Sequence, residues 1–219
     1  MAAPGLHTKV LQVIADNEPA PARVLDFGAG KGALCGQLIE RGYEVVAADI
    51  NQEDFFHSER ARFHRLDFND VHSLSAFTKA HKHHFDVVVG TEVIEHLENP
   101  WSYVRSMAEM ARPGGLVVVT TPNVGSWHSR LTFLRRGEWD DFGARGQHGH
   151  ITPLAPWLLE RIMREAGVLE VWLEPAGAIH EVPLFRQRIM RLISLALRPV
   201  QEGQLNGFCT VALGRTRSQ

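Results

Sequence analysis

The chain has 219 residues, with 23 Lys and Arg against 25 Asp and Glu and a formal net charge of -2 with His neutral. That length suits a single domain, 1–219, able to bury a sizeable sheet core, and the near-neutral balance lacks the broad basic field that holds nucleic acid by phosphate contacts, which argues against a polynucleotide partner. The two cysteines, Cys35 and Cys209, show neither metal nor redox spacing, no apolar run reaches the length of a membrane span, and the N-terminus does not read as a signal peptide, so a reducing, cytoplasmic setting is expected.

Leu6, Val10, Leu11 and Ile14 recur at helical spacing, and the Pro-containing stretch 17–21 stops a leading helix within 1–20. Then Val24, Leu25, Asp26 and Phe27 form a short apolar strand that breaks into glycines at every second position, Gly28, Gly30 and Gly32. Such a turn brings the backbone close to a ligand, and the helix expected over 33–41 points its first N–H groups at the same place. A second strand over 44–48 ends in Asp49, 23 residues after Asp26. An acidic residue there grips ribose hydroxyls in nucleotide-binding α/β sheets, so a nucleoside-containing cofactor is expected.

A third strand follows over 62–67, ending at Asp67, whose ordinary alternative role is a helix cap or turn. A helix over 74–82 ends in a His- and Lys-rich tract through His84, which suits the negative end of a helix dipole. The run 85–90 is almost wholly apolar, as a central parallel strand buried on both faces should be. Next come a helix over 101–112, a Pro-Gly-Gly turn at 113–115 and a fifth strand over 116–120. The segment 122–153 is glycine-rich and aromatic, with Trp127, Phe133, Trp139 and Phe142, and reads as a substrate cap inserted where the fifth strand ends. A helix over 154–167, a strand over 169–174 and a C-terminal helix and final strand within 183–214 complete the chain. The expected architecture is α/β: a doubly wound, mostly parallel seven-stranded sheet with helices on both faces.

Past the fourth strand, Glu92, Glu95 and His96 stand at i, i+3 and i+4, so a helix starting there would present all three on one side. Two carboxylates and an imidazole at the ligand edge suit Mg²⁺, Mn²⁺ or Zn²⁺, and a further ligand is available from His148 or His150 in the cap. In 185–198, Ile189, Leu192, Ile193 and Ala196 share a helical face with Arg186, Arg188, Arg191 and Arg198 nearby. That pattern fits a helix packed on the sheet, or one lying peripherally on anionic membrane lipid.

The order Asp26-x-Gly28-x-Gly30-x-Gly32, Asp49, Asp67 and Glu92-Val93-Ile94-Glu95-His96 resembles the class I S-adenosylmethionine-dependent methyltransferases, over about 24–119 and more loosely to the C-terminus, and implies their Rossmann-like fold. The resemblance implies that Asp26, Gly28, Ala29, Gly30 and Thr91 line the methionine end of S-adenosylmethionine. Asp49 and Ile50 would then meet the ribose side, and Asp67 and Phe68 the adenine. The Glu-x-x-Glu-His pattern with a later His looks like the ubiquinone-pathway O-methyltransferases and the small-RNA 3′-end 2′-O-methyltransferases, which implies metal ligands at Glu92, Glu95, His96 and His150. A metal-free site stays open beside it. There Glu95 holds a loop N–H, and His150, His148 or His96 takes the acceptor's proton. The implied activity is methyl transfer to a hydroxyl of a small molecule or glycan. The rivals are an RNA-end methyltransferase and a cofactor-binding partner protein without turnover.

Overall fold

The computed structural model describes residues 5–57, 59–139, 141–143, 149–177 and 207–218. His148 and the stretch 185–198 lie outside them. The elements run α1 (Leu6–Asn17), β1 (Arg23–Phe27), α2 (Ala33–Glu40), β2 (Glu44–Asp49), β3 (Arg62–Arg65), α3 (Val71–Ala80) and β4 (Phe85–Thr91). A 3₁₀ turn (Ile94–His96), α4 (Pro100–Met110), β5 (Ala111–Pro122), α5 (Trp127–Arg136), α6 (Pro156–Glu165), β6 (Val168–Ala176) and β7 (Cys209–Thr216) follow.

The seven strands form one sheet in the order β3-β2-β1-β4-β5-β7-β6. β3, β2, β1, β4 and β5 are parallel, while β7 runs antiparallel between β5 and β6. Alternation along the strands feeds two cores. Val24, Val87, Val89, Val118 and Val211 face one side, with α1 and α2. Leu25, Phe27, Val88, Val117, Val119 and Ala212 face the other, with α4 and α6. Central strands apolar on both faces are what a parallel sheet covered on both sides requires.

Several element ends differ from expectation for identifiable reasons. α3 begins at Val71, because the Asp70 carboxylate caps it by accepting from the His72 N–H and the Ser73 hydroxyl. Asn99 caps α4 in the same way, with Pro100 in its first turn. That helix stops at Met110, and Arg112 joins the start of β5, where it pairs with Asp86 at 2.6 Å and Glu18 at 2.8 Å. Glu18 also takes Arg215 at 3.2 Å, so α1 is clasped to the sheet's bottom edge. The cap holds a helix, α5, capped by Ser126 and ended by Gly137 at φ 74°. The His-rich tract is pinned to the end of α4 through N–H bonds from His83 to Glu109 and from His84 to Met110. Among the described residues, no helix is long and apolar enough to cross a membrane.

Candidate active site

The glycine turn is shaped by its neighbours in the sheet. Gly28 and Ala29 both donate their N–H groups to the Ala48 carbonyl, at 2.8 and 3.2 Å, and Gly30 donates to Asp49 Oδ2 at 2.9 Å. Gly28, Gly30 and Gly32 have φ of 111°, 51° and 90°, a region that side chains disfavour. A Cβ on Gly28 would lie 2.1 Å from Val93, whereas one on Gly30 meets nothing within 4 Å, so the space above the turn is open. Asp49, whose other oxygen takes the Asn51 N–H at 3.1 Å, faces that space with half-exposed Ile50 beside it.

Asp26 lies beneath the turn with 1 % of its surface exposed, and its Oδ2 has no partner. Burial, and then the charge of Asp49, push its carboxyl up to about 7 against a bond from the Cys35 backbone. Thr91 ends β4 with a second unpartnered buried hydroxyl. Two orphaned polar groups flanking an open glycine turn fit a ligand that carries its own charges and donors, as the methionine end of S-adenosylmethionine does. Asp67 is exposed and accepts from the Asn69 N–H at 2.9 Å, a turn-forming bond. Phe68 packs edge-on against Phe27, with ring centroids 4.5 Å apart.

The expected one-sided set of Glu92, Glu95 and His96 is not what the fold builds. Glu92 sits at φ 55°, and only Ile94–His96 is helical, as a 3₁₀ turn. In β5, Thr120 faces the α1/α2 side and Thr121 the α4/α6 side, because neighbouring strand residues alternate. Glu92 follows the first, accepting a long 3.4 Å bond from the Thr120 hydroxyl and one from the Cys209 thiol. Burial pushes its carboxyl up to about 7. Glu95 is fully buried with Thr121 beside its carboxylate, neither of whose oxygens makes a well-formed hydrogen bond. Burial and then Glu92 raise its carboxyl well above the usual range. The two carboxylates thus stay close enough for the charge of Glu92 to act on Glu95, although their bonding partners differ.

Glu95 instead joins His96 and His150, and each offers a ligand atom within 4.8 Å of the others. The end of the cap is stapled to the 3₁₀ turn: Ile151 and Thr152 donate N–H bonds to Glu95 O, and the Thr152 hydroxyl donates to Leu97 O at 2.6 Å. Gly149, at φ 104°, brings its carbonyl within 3.0 Å of His96 Nδ1, which leaves Nε2 as the acceptor nitrogen. The His96 and His150 rings meet edge to face with centroids 4.6 Å apart, and His150 Nδ1 is buried without a partner. Burial and then His96 lower the His150 pKa, so its ring is neutral. One unpaired carboxylate and two free imidazole nitrogens at this spacing fit a divalent ion, and the nitrogen-rich set favours Zn²⁺ or Mn²⁺ over Mg²⁺. Glu92 stands outside this group.

Thr121 and Thr210 oppose each other across β5 and β7, both with unpartnered buried hydroxyls, and Gly149 and Thr152 seat the cap. Sequence reading passed over all four. The available signals were Thr120-Thr121-Pro122-Asn123 at the end of an apolar strand and a glycine between two histidines.

Residues 3–172 match a family model described as a methyltransferase domain. A ubiquinone biosynthesis O-methyltransferase of Nitrosospira multiformis is 33% identical over 150 residues, 66% of this chain and 62% of that protein. Another of the same name, from an Azoarcus species, is 33% identical over 156 residues, 68% of this chain and 65% of that protein. The chain thus spans about six-tenths of the length of these curated relatives. Among solved structures, a SAM-dependent methyltransferase from Archaeoglobus fulgidus superposes with a TM-score of 0.68 at 18% identity, over 96% of this chain and 93% of that one, a likeness of fold. With the open glycine turn, the orphaned Asp26 and Thr91 and this sheet order, the chain belongs to the methyltransferase-domain family, in its class I S-adenosylmethionine-dependent form.

Proposed function

We propose that this chain transfers the methyl group of S-adenosylmethionine to a hydroxyl oxygen of a small molecule or glycan, assisted by a divalent ion held by Glu95, His96 and His150. The observation that carries the reading is the convergence of these three side chains, two of them with unpartnered buried atoms, where the cap closes on the sheet edge that carries the glycine turn. The hydroxyl acceptor follows from the relatives, whose names give an O-methylation.

The cofactor supplies an electrophilic methyl on a cationic sulfur. Asp26 and Thr91 take the polar methionine end, and Asp49 takes the ribose, already oriented by the Gly30 and Asn51 N–H groups. Fixing the cofactor and acceptor in line removes most of the entropic barrier to a bimolecular displacement. The ion, when bound, lowers the pKa of the acceptor hydroxyl and orients it. His96 is held in one tautomer by the Gly149 carbonyl, so its Nε2 lone pair points away from the cap backbone. In a site without an ion, neutral His150 offers Nδ1 as the base that takes the hydroxyl proton.

Calorimetric titration of chelator-treated protein with S-adenosylhomocysteine, then with Zn²⁺, Mn²⁺ and Mg²⁺, on wild type and Glu95→Ala, tests both halves. Cofactor binding in both proteins, with Zn²⁺ or Mn²⁺ binding only in wild type, is the expected result. Absence of cofactor binding would overturn the transferase reading, and equal metal binding by Glu95→Ala would overturn the ligand set.

A further inference from the structure

Beneath the glycine turn lies a buried phenol that the cofactor contacts do not employ. Tyr103 of α4 is fully buried, its ring stacked on Phe27 with centroids 5.0 Å and planes 10° apart. Its hydroxyl donates to the carbonyl of Phe27, the last residue of β1 before Gly28. Phe68, next to Asp67, closes the stack 5.3 Å from Tyr103. β4 leaves room from the opposite side, since a Cβ on Gly90 would fall 2.3 Å from the Tyr103 oxygen. Phenylalanine would fill nearly the same volume with no hydroxyl to satisfy, so the phenol is an unfavourable choice for packing alone. Three segments that line the cofactor edge therefore meet on one side chain: the tip of β1, the turn after β3 and the end of β4.

We propose that Tyr103 is a positioning residue for the cofactor: its hydroxyl anchors the carbonyl from which the glycine turn departs, and so keeps the Gly28, Ala29 and Gly30 N–H groups on Ala48 and Asp49. The inference rests on the reading of that turn as the cofactor's seat. Glycine loses more conformational freedom on ordering than any other residue, and this turn has three within five positions. An anchor at its first carbonyl limits that loss before the ligand arrives. Without the hydroxyl, the ordering falls on cofactor binding. Gly90→Ala acts on the same contact from the other side, by pushing the hydroxyl off the Phe27 carbonyl.

The test uses Tyr103→Phe, Gly90→Ala and the double variant, each titrated with S-adenosylhomocysteine and followed without ligand by amide hydrogen exchange. Tyr103→Phe is expected to weaken binding about tenfold, the equivalent of one lost buried hydrogen bond. It should also speed exchange at Gly28, Ala29 and Gly30 while the amides of β7 keep their protection. Gly90→Ala should bind more weakly still. The double variant should recover part of that loss, because the nearest ring carbon left to the new methyl is 3.2 Å away. Wild-type affinity and exchange in Tyr103→Phe, exchange that rises equally across the sheet, or losses that simply add in the double variant would each overturn the proposal. If wild type itself binds no S-adenosylhomocysteine, the reading of the turn fails, and exchange of the ligand-free turn in Tyr103→Phe still decides the role of Tyr103.

Discussion

Cofactor binding is expected to expel a proton from Asp26. In the ligand-free chain this carboxyl is pushed up to about 7 by burial and by Asp49, and one of its oxygens is unpartnered. A ligand seated on Gly28–Gly30 brings a cationic ammonium beside it, which favours the carboxylate and lowers its pKa in the complex. The sign follows: the free protein must lose a proton to bind, so affinity rises with pH through the free pKa. A group titrating near 7 is about nine-tenths ionised at pH 8 and about one-tenth at pH 6. S-adenosylhomocysteine should therefore bind about tenfold more weakly at pH 6 than at pH 8, or about 1.4 kcal/mol. Titration calorimetry at pH 7 in two buffers of different ionisation enthalpy should show about half a proton released per ligand bound. Asp26→Asn should bind with an affinity that no longer varies over this range. A pH-independent affinity in wild type, with no buffer-dependent heat, would refute the reasoning.

The same burial makes Asp26 a weak point of the ligand-free fold. Its folded pKa stands above the 3.8 of the unfolded chain, so stability is lost as pH rises from about 4 to about 7, by about 4 kcal/mol for this fully buried group. Asp26→Asn should accordingly be more stable than wild type at pH 8 and no more stable at pH 4, which urea denaturation at the two pH values would show. Arg112→Ala removes the bonds to Asp86 and Glu18 that clasp α1 to the sheet. Since the Arg112 side chain is 37% exposed, the expected loss is about 1 kcal/mol in urea denaturation, and an unchanged midpoint would show that the clasp contributes nothing. Gly149→Ala would place a Cβ 3.3 Å from His96 Nδ1 on a backbone at φ 104°. Zinc affinity, measured by competition with a chromophoric chelator, should fall about tenfold for a displaced ligand. Wild-type affinity there would remove Gly149 from the supports of the site.

Legibility from sequence followed the range of the physics. The strand, glycine turn and helix at 23–40 were readable because alternation, turn glycines and helix periodicity act within a few residues. Asp49 stood out by its spacing from that turn. Asp67 lies past the end of β3 and accepts from the Asn69 N–H, the local turn that was the ordinary alternative to an adenine contact. The group at 92–96 was misjudged in geometry. Its i, i+3, i+4 spacing presumed an α-helix, whereas the chain leaves β4 through a left-handed Glu92 and makes a single 3₁₀ turn.

The α/β alternation, the glycine turn with its acidic partners and the residue types that crowd the ligand edge are properties of short stretches of chain. Which of those residues meet depends on how the sheet closes. Glu92 bonds Thr120 while Glu95 lies beside Thr121, neighbouring residues of β5 that pair in register with Val211 and Thr210 of β7. That pairing joins strands about 90 residues apart in the chain. His150 reaches His96 from 54 positions away because the cap ends on the Glu95 carbonyl. Short-range periodicity is written into neighbouring residues, whereas register and cap placement come from closing the whole sheet, where one residue's shift reverses every face.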